Sequence, residues 1–232
     1  MEPNSEAILR LAWSRILGLA DDALAQPSSS VLTRGDESVA MYVRLWDHRV
    51  LIGPAWAVAL APRLTGDDGE VPAVMLAAAA DHGGRLLGQA CLAFTDAYVP
   101  GDELEVAVVT DDPAAVVDLE KACPPDDVTE VGLAEMGRAL VTVDELDRPT
   151  AGAGYQEWEQ IIAHLGVLTP PPFRRQGFGL LASAIATNDA LDAGLIPQWR
   201  ARVENRASRA IAARLGFVEI GSQTTVVLPP PA

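Results

Sequence analysis

Lysine is almost missing from this chain: Lys121 is the only one in 232 residues. No lysine follows a glycine loop, which excludes the nucleoside-triphosphate pattern G-x-x-x-x-G-K-[ST], whose Lys reaches the β- and γ-phosphates. Cysteine is nearly as scarce. Cys91 and Cys123 are too few for a disulfide framework and show no C-x-x-C and no Cys/His ligand spacing, so no structural metal is indicated and the two read as buried thiols. No uninterrupted apolar run approaches the roughly 20 residues that a bilayer crossing takes. The start M-E-P-N-S-E lacks the basic region and apolar stretch of a secretory signal, so the expectation is a cytoplasmic protein without a membrane partner. Positive charge is in deficit as well: 17 Lys and Arg face 32 Asp and Glu, a net charge of −15. Such a balance argues against a nucleic-acid partner, which calls for a basic face, and favours cationic substrates through electrostatic steering.

The chain does have apolar mass: 49% of its residues are hydrophobic, enough to bury the core of one large domain or two small ones. Its charge is uneven. Residues 170–232 hold 4 acids and 7 arginines, against 28 acids and 10 bases before them. This basic segment opens with the most informative stretch, Val167-Leu168-Thr169-Pro170-Pro171-Pro172-Phe173-Arg174-Arg175-Gln176-Gly177-Phe178-Gly179, preceded by an apolar strand over 161–168 and followed by the helix former Leu180 to Ala193. A strand, a glycine loop and a helix start make a phosphate site. The first turn of a helix leaves backbone N–H groups unpaired and carries partial positive charge, and Gly177 and Gly179 let a diphosphate approach the backbone. The pattern Arg174-x-x-Gly177-x-Gly179 suits a phosphate-bearing cofactor with no magnesium-binding hydroxyl, and coenzyme A fits that description.

Further on, Asn205-Arg206-Ala207-Ser208-Arg209 to Leu215-Gly216-Phe217 reads as a short amphipathic helix capped by Asn205 and ended by Gly216. With both motifs in order, residues 158–228 resemble the GNAT superfamily of N-acyltransferases, whose motifs are R/Q-x-x-G-x-G/A and a later N-x-x-[AS]…L-G-F. The approach V-L-T-P-P-P-F-R resembles the branch that includes glycine-N-acyltransferase-like members.

The resemblance implies an α/β (α+β) fold with a central mixed, mostly antiparallel sheet flanked by helices, occupying 101–232, with 1–100 as an N-terminal extension or degenerate second lobe. It also implies acetyl-CoA or another acyl-CoA as cosubstrate, no metal, and a homodimer by analogy. Cofactor contacts carry over to Val167, Leu168, Thr169, Arg174, Arg175, Gln176, Gly177, Phe178, Gly179, Leu180, Asn205 and Ser208. The implied reaction is transfer of an acetyl group to a primary amine, and the acidic chain suggests a small cationic acceptor. Glu159, Glu157 and His164 are the candidate bases, the two carboxylates being assigned to the strand that leads into Val167, where equal parity points both into one gap. His164 has the ring whose ordinary titration suits proton transfer near neutrality. The family often has a Tyr seven residues after the Asn, and here that position is Ala212. Its absence leaves a second reading open, a CoA-binding sensor without turnover.

Elsewhere, periodicity predicts an amphipathic helix over 6–25, a hairpin over 38–52 turning at His48-Arg49, and helices over 55–64 and 72–81 with an acidic loop between them. It then predicts strands over 86–95 and 104–109, a helix over 112–122 with Pro113 at its first position, and strands over 138–143 and 151–158. A strand over 198–203, a helix over 207–215 and a final hairpin turning at Gly221-Ser222 complete the chain.

Overall fold

A computed structural model describes residues 1–26, 31–64, 66 and 68–229. Pro27 at the expected end of the first helix, Thr65 and Asp67 of the acidic loop, and Pro230 and Pro231 of the tail lie outside these. The chain forms two compact units. One comprises 6–93, 200–209 and 219–232; the other comprises 1–5, 94–199 and 210–218.

In the first unit, α1 (Pro3–Ile16) stops well short of Ala25. Gly18 turns left-handed at φ 64, and Leu19 N–H reaches back to Ser14 O at 2.8 Å, which terminates the helix. Then come β1 (Val31–Gly35), β2 (Val39–Leu45) and β3 (His48–Gly53), α2 (Ala55–Val58), α3 (Val71–Ala79) and β4 (Arg85–Phe94). The β2–β3 hairpin turns at Trp46 and Asp47, two residues before the expected His48-Arg49, with Trp46 at φ 51. Tyr42, Leu51, Leu64, Val71 and Met75 form the core between the strands and α2 and α3, each at most 2% exposed.

In the second unit, α4 (Glu103–Val106) and the two-residue β5 (Val109–Thr110) stand where a buried strand over 104–109 was expected. Val106 is 80% exposed: the apolar letters there carry no burial. Next are α5 (Pro113–Lys121), α6 (Pro125–Val131), β6 (Arg138–Val143), β7 (Pro149–Trp158), β8 (Ile162–Leu168) and α7 (Phe178–Asp192), then β9 (Ile196–Arg202) and α8 (Arg206–Arg214), each of which has residues in both units. Asp112 caps α5 by accepting from Ala114 N–H at 2.9 Å, with Pro113 at the first position as predicted. Strand order in this unit is β9-β8-β7-β6-β5, antiparallel except for β8 with β9. Leu119, Leu133, Val141 and Leu168 pack α5 onto one face of these strands, each buried side chain contributing about 1.5–3 kcal/mol.

The chain ends in β10 (Val218–Val227), which pairs antiparallel with β2 and completes the first unit's order β1-β3-β2-β10-β4. It is one continuous strand and not the expected hairpin. Gly221 lies opposite Leu45, and a side chain on it would run into the Arg44 carbonyl. The glycine marks a close approach of two backbones and not a turn. Both units are mixed α/β, with mostly antiparallel strands flanked by helices. Among the described residues no helix is long and apolar enough to cross a membrane.

Candidate active site

The ladder between β8 and β9 is short. Ile162 pairs with Ile196, Ala163 with Pro197 and His164 with Gln198, and there it ends, although β8 continues to Leu168 alongside β7. In an antiparallel pair, alternate residues aim their N–H and C=O away from the partner. Over Leu165–Leu168 those groups have no ladder partner on the β9 side, so β8 offers a backbone edge to an extended ligand.

At the end of that edge the chain enters the glycine loop. Pro170–Pro172 and a 3₁₀ turn at Pro171–Phe173 carry it across to Gly177, the residue before α7. Gly177 has φ 93, a conformation open to glycine and strained for other residues. No side chain caps the helix that follows, so the first-turn amides of Phe178, Gly179 and Leu180 lack the usual partner. A Cβ on Gly179 would stand 2.7 Å from Thr169 Oγ1, so glycine is what lets the loop's two ends meet. The remaining loop side chains divide their work. Arg174 donates to Thr169 O at 2.9 Å and to the Asp127 carboxylate on α6, and Gln176 donates to Pro172 O at 2.7 Å. Both hold the loop's shape. Arg175, two residues before Gly177, is exposed at φ 62.

The three candidate bases are not brought together. Glu159 and Gln160 form the turn between β7 and β8, at φ 54 and 57, so Glu159 is exposed at a hairpin tip and not on the strand leading into Val167. Glu157 belongs to β7, opposite Ala163, and by strand alternation faces away from His164. The reason for the misplacement is the turn itself. Two positive-φ positions held by Glu and Gln have no glycine or asparagine to reveal them.

His164 alone sits where the ladder ends. Its ring stacks on Trp158 with centroids 4.3 Å apart at 21°, and its Nδ1 lies 3.1 Å from Gln198 Nε2. Gln198 is fully buried, and its Oε1 has no hydrogen-bond partner. Sequence reasoning passed over Gln198 because its partner lies on a parallel strand 34 residues away. The visible signal was a polar residue inside the apolar run Ile196-Pro197-Gln198-Trp199.

A second polar cluster anchors α7. Tyr155 on β7 donates its hydroxyl to Asp189 at 2.8 Å, and Arg138 on β6 donates to the same carboxylate at 3.0 Å and to Asp111 at 2.9 Å. Burial alone would raise the Asp189 carboxyl. Hydrogen bonds from Arg138 and Tyr155 outweigh it and hold the group below the ordinary range. Burial first, then the hydrogen bond to Asp189, pushes the Tyr155 phenol well above its usual value.

Asn205 caps α8 by accepting from Ser208 N–H at 3.1 Å, so both have a structural duty at the helix start. Ala212 is buried, 4% exposed, and its carbonyl accepts from Phe217 N–H. Trp199 packs edge-on to Phe217, with centroids 5.6 Å apart. Cys91 and Cys123 are free and buried, and burial pushes both thiols up. Among the described residues no cluster of His, Cys, Asp or Glu could hold a metal ion.

A family model described as GNAT acetyltransferase matches residues 151–225, which takes in β7, β8, the glycine loop, α7, β9 and α8. Solved structures are similar at the level of the backbone. A GCN5-related N-acetyltransferase from Kribbella flavida is 22% identical, with 68% of this chain and 64% of that one covered, at a TM-score of 0.48. An acetyltransferase from the GNAT family of Colwellia psychrerythraea is 15% identical, with 67% and 62% covered and a TM-score of 0.47. A GCN5-related N-acetyltransferase-like protein from Streptococcus suis is 18% identical, with 66% of each chain covered and a TM-score of 0.48. The chain spans a little under two thirds of each of these structures. No curated protein matches.

Proposed function

We propose that this chain is an acyl-CoA-dependent N-acyltransferase of the GNAT type, moving an acetyl group from acetyl-CoA to the primary amine of a small cationic acceptor. The observation that carries the reading is a conjunction within one unit: the half of β8 that has no ladder to β9 leads, through a loop that only glycine can close, to a long helix whose N-terminus no side chain caps. The residues present fit the cosubstrate. The amides of Phe178, Gly179 and Leu180 suit a diphosphate by hydrogen bonding and by the helix dipole, with Arg175 adding charge. Backbone groups of Leu165–Leu168 suit the amides of a pantetheine arm. When bound, acetyl-CoA supplies a thioester carbonyl open to attack by a neutral amine and a thiol as leaving group.

The protein's part is to hold that carbonyl beside the end of the β8–β9 ladder, where His164 is the group equipped to handle a proton or donate to a developing oxyanion. Thiolate departure asks little of it, since a thiol with a pKa near 8.5 leaves without strong help. Glu157 and Glu159 add negative potential that favours a cationic acceptor, as does the net charge of −15.

Calorimetric titration with acetyl-CoA and a thiol-release assay over a panel of polyamines, amino sugars and amino acids test this. Binding with turnover of at least one amine is the expected result. Binding with no turnover would reject the enzyme and favour a CoA-binding sensor, a reading that the buried Ala212, with no hydroxyl to offer, keeps in view.

A further inference from the structure

Strand alternation puts His164, Gly166 and Leu168 on one face of β8, and Leu168 packs there with Val116 and Leu119 of α5 and with Leu133. Gly166 lies in the stretch of β8 that has no ladder to β9. It has no side chain, and Met136 takes up the space: a Cβ on Gly166 would run into Met136 Cε and stand 2.8 Å from Val131 Cγ1. The segment that holds Met136 is tied to the same rows of the sheet. Gly137 N–H donates to Gln156 Oε1 at 3.2 Å, and Gln156 lies directly opposite His164. Met136 therefore borders the place where the acyltransfer reading puts the thioester.

The same side chain lines a cavity of about 290 Å³ between α5 and the start of β6. Val116, Val117 and Leu133 line it too, and its two charged residues, Asp111 and Arg138, are paired with each other at 2.9 Å. A space with apolar walls and its charges already matched suits a hydrocarbon chain better than an unpaired polar group. We propose that Met136 is a specificity-determining residue for the acyl donor: its bulk over Gly166 keeps the acyl group short and separates it from a cavity able to take a longer straight chain. This rests on the acyl-CoA reading and names the acyl class of that site.

Calorimetry with acetyl-CoA and with hexanoyl-CoA tests the gate without an acceptor amine. Wild type should bind hexanoyl-CoA no tighter than acetyl-CoA. Each methylene buried is worth about fourfold in affinity, so Met136→Ala should shift the ratio toward hexanoyl-CoA by roughly tenfold or more. Met136→Val, a smaller cut that serves if the alanine variant does not fold, should shift it by about fourfold. Met136→Leu keeps the bulk and should stay near wild type. Val117 is 43% exposed and lines the cavity, so Val117→Trp can fill that space from the surface. Added to Met136→Ala, it should bring the ratio back to within about threefold of wild type. A ratio unmoved in both shortened variants, a wild type that already prefers hexanoyl-CoA by about tenfold, or a gain that survives Val117→Trp would overturn the gate while acyl-CoA binding stands. A wild type that binds neither thioester refutes the acyl-CoA reading and the gate with it.

Discussion

Gly179 and Gly177 lie two residues apart at the start of α7, and the structure gives them different reasons to be glycine. Gly179→Ala places a methyl carbon 2.7 Å from Thr169 Oγ1, too close for any real contact. Thr169 must leave its rotamer or the loop must widen, at a cost of about 1 kcal/mol for a forced rotamer and up to about 3 kcal/mol if the loop is held. Since 1.4 kcal/mol is tenfold in affinity, acetyl-CoA binding should weaken by roughly five- to a hundredfold if the strain falls on the diphosphate cradle. Thr169→Ala deletes the clashing oxygen, and the next atom is Thr169 Cβ at 3.9 Å, an ordinary contact. The double variant should therefore recover most of the loss. Gly177→Ala meets no atom within 4 Å, yet its φ of 93 charges a side chain about 1–2 kcal/mol in backbone strain. Thr169→Ala has nothing to relieve there. Calorimetry with acetyl-CoA on all five variants reads the cycle directly. Equal rescue of both glycine variants by Thr169→Ala, or wild-type affinity in Gly179→Ala, would show that the cradle is not built as described.

The β7–β8 turn holds Glu159 and Gln160 at positive φ, so replacing the pair by Asn-Gly should raise stability by about 1 kcal/mol, or roughly 2–4 °C in melting temperature, and leave acyl transfer within about twofold. Lost activity in that variant would restore Glu159 as the base. Asp189→Asn should cost about 1–3 kcal/mol, because Arg138 and Tyr155 both donate to the carboxylate. Asp189 has a depressed folded-state value, so its contribution is present above the unfolded carboxyl's range and is lost as pH falls through the lower folded value. Urea melts should show the wild type's advantage over Asp189→Asn shrinking below about pH 4. Asn205→Ala removes the cap that accepts from Ser208 N–H and should cost about 0.5–2 kcal/mol, read by thermal unfolding.

How much of this was written in the chain depends on how local its cause is. β6 spans Arg138–Val143, the range that alternation predicts, because each residue's neighbours two away decide which face it takes. The start of α5 at Asp112 and Pro113 and the end of α7 before Gly194, at φ 77, come from single residues with fixed backbone habits. The errors share a different origin. Gly221 looks like a turn in sequence because nothing within ten residues reveals the Arg44 carbonyl it must pass. Val106 and Val108 look like a buried strand because hydrophobic letters do not state whether another element covers them, and at 80% and 61% exposed they are not covered.

The site divides along the same line. The glycine loop was legible because a helix N-terminus and two glycines are local chemistry, and the structure leaves that N-terminus without a side-chain cap. The different placement of the three proposed bases was not legible, since it follows from the turn at Glu159 and from the opposite face of Glu157. The partner of His164 could not be found from periodicity at all: parallel strands meet across a long crossover, and Gln198 becomes significant only when the ladder puts it opposite a histidine. Chemistry that depends on one residue's neighbours along the chain is readable from letters; chemistry that depends on which strand lies beside which is set by the fold, as the contact between Gln198 and His164 at the end of the β8–β9 ladder is.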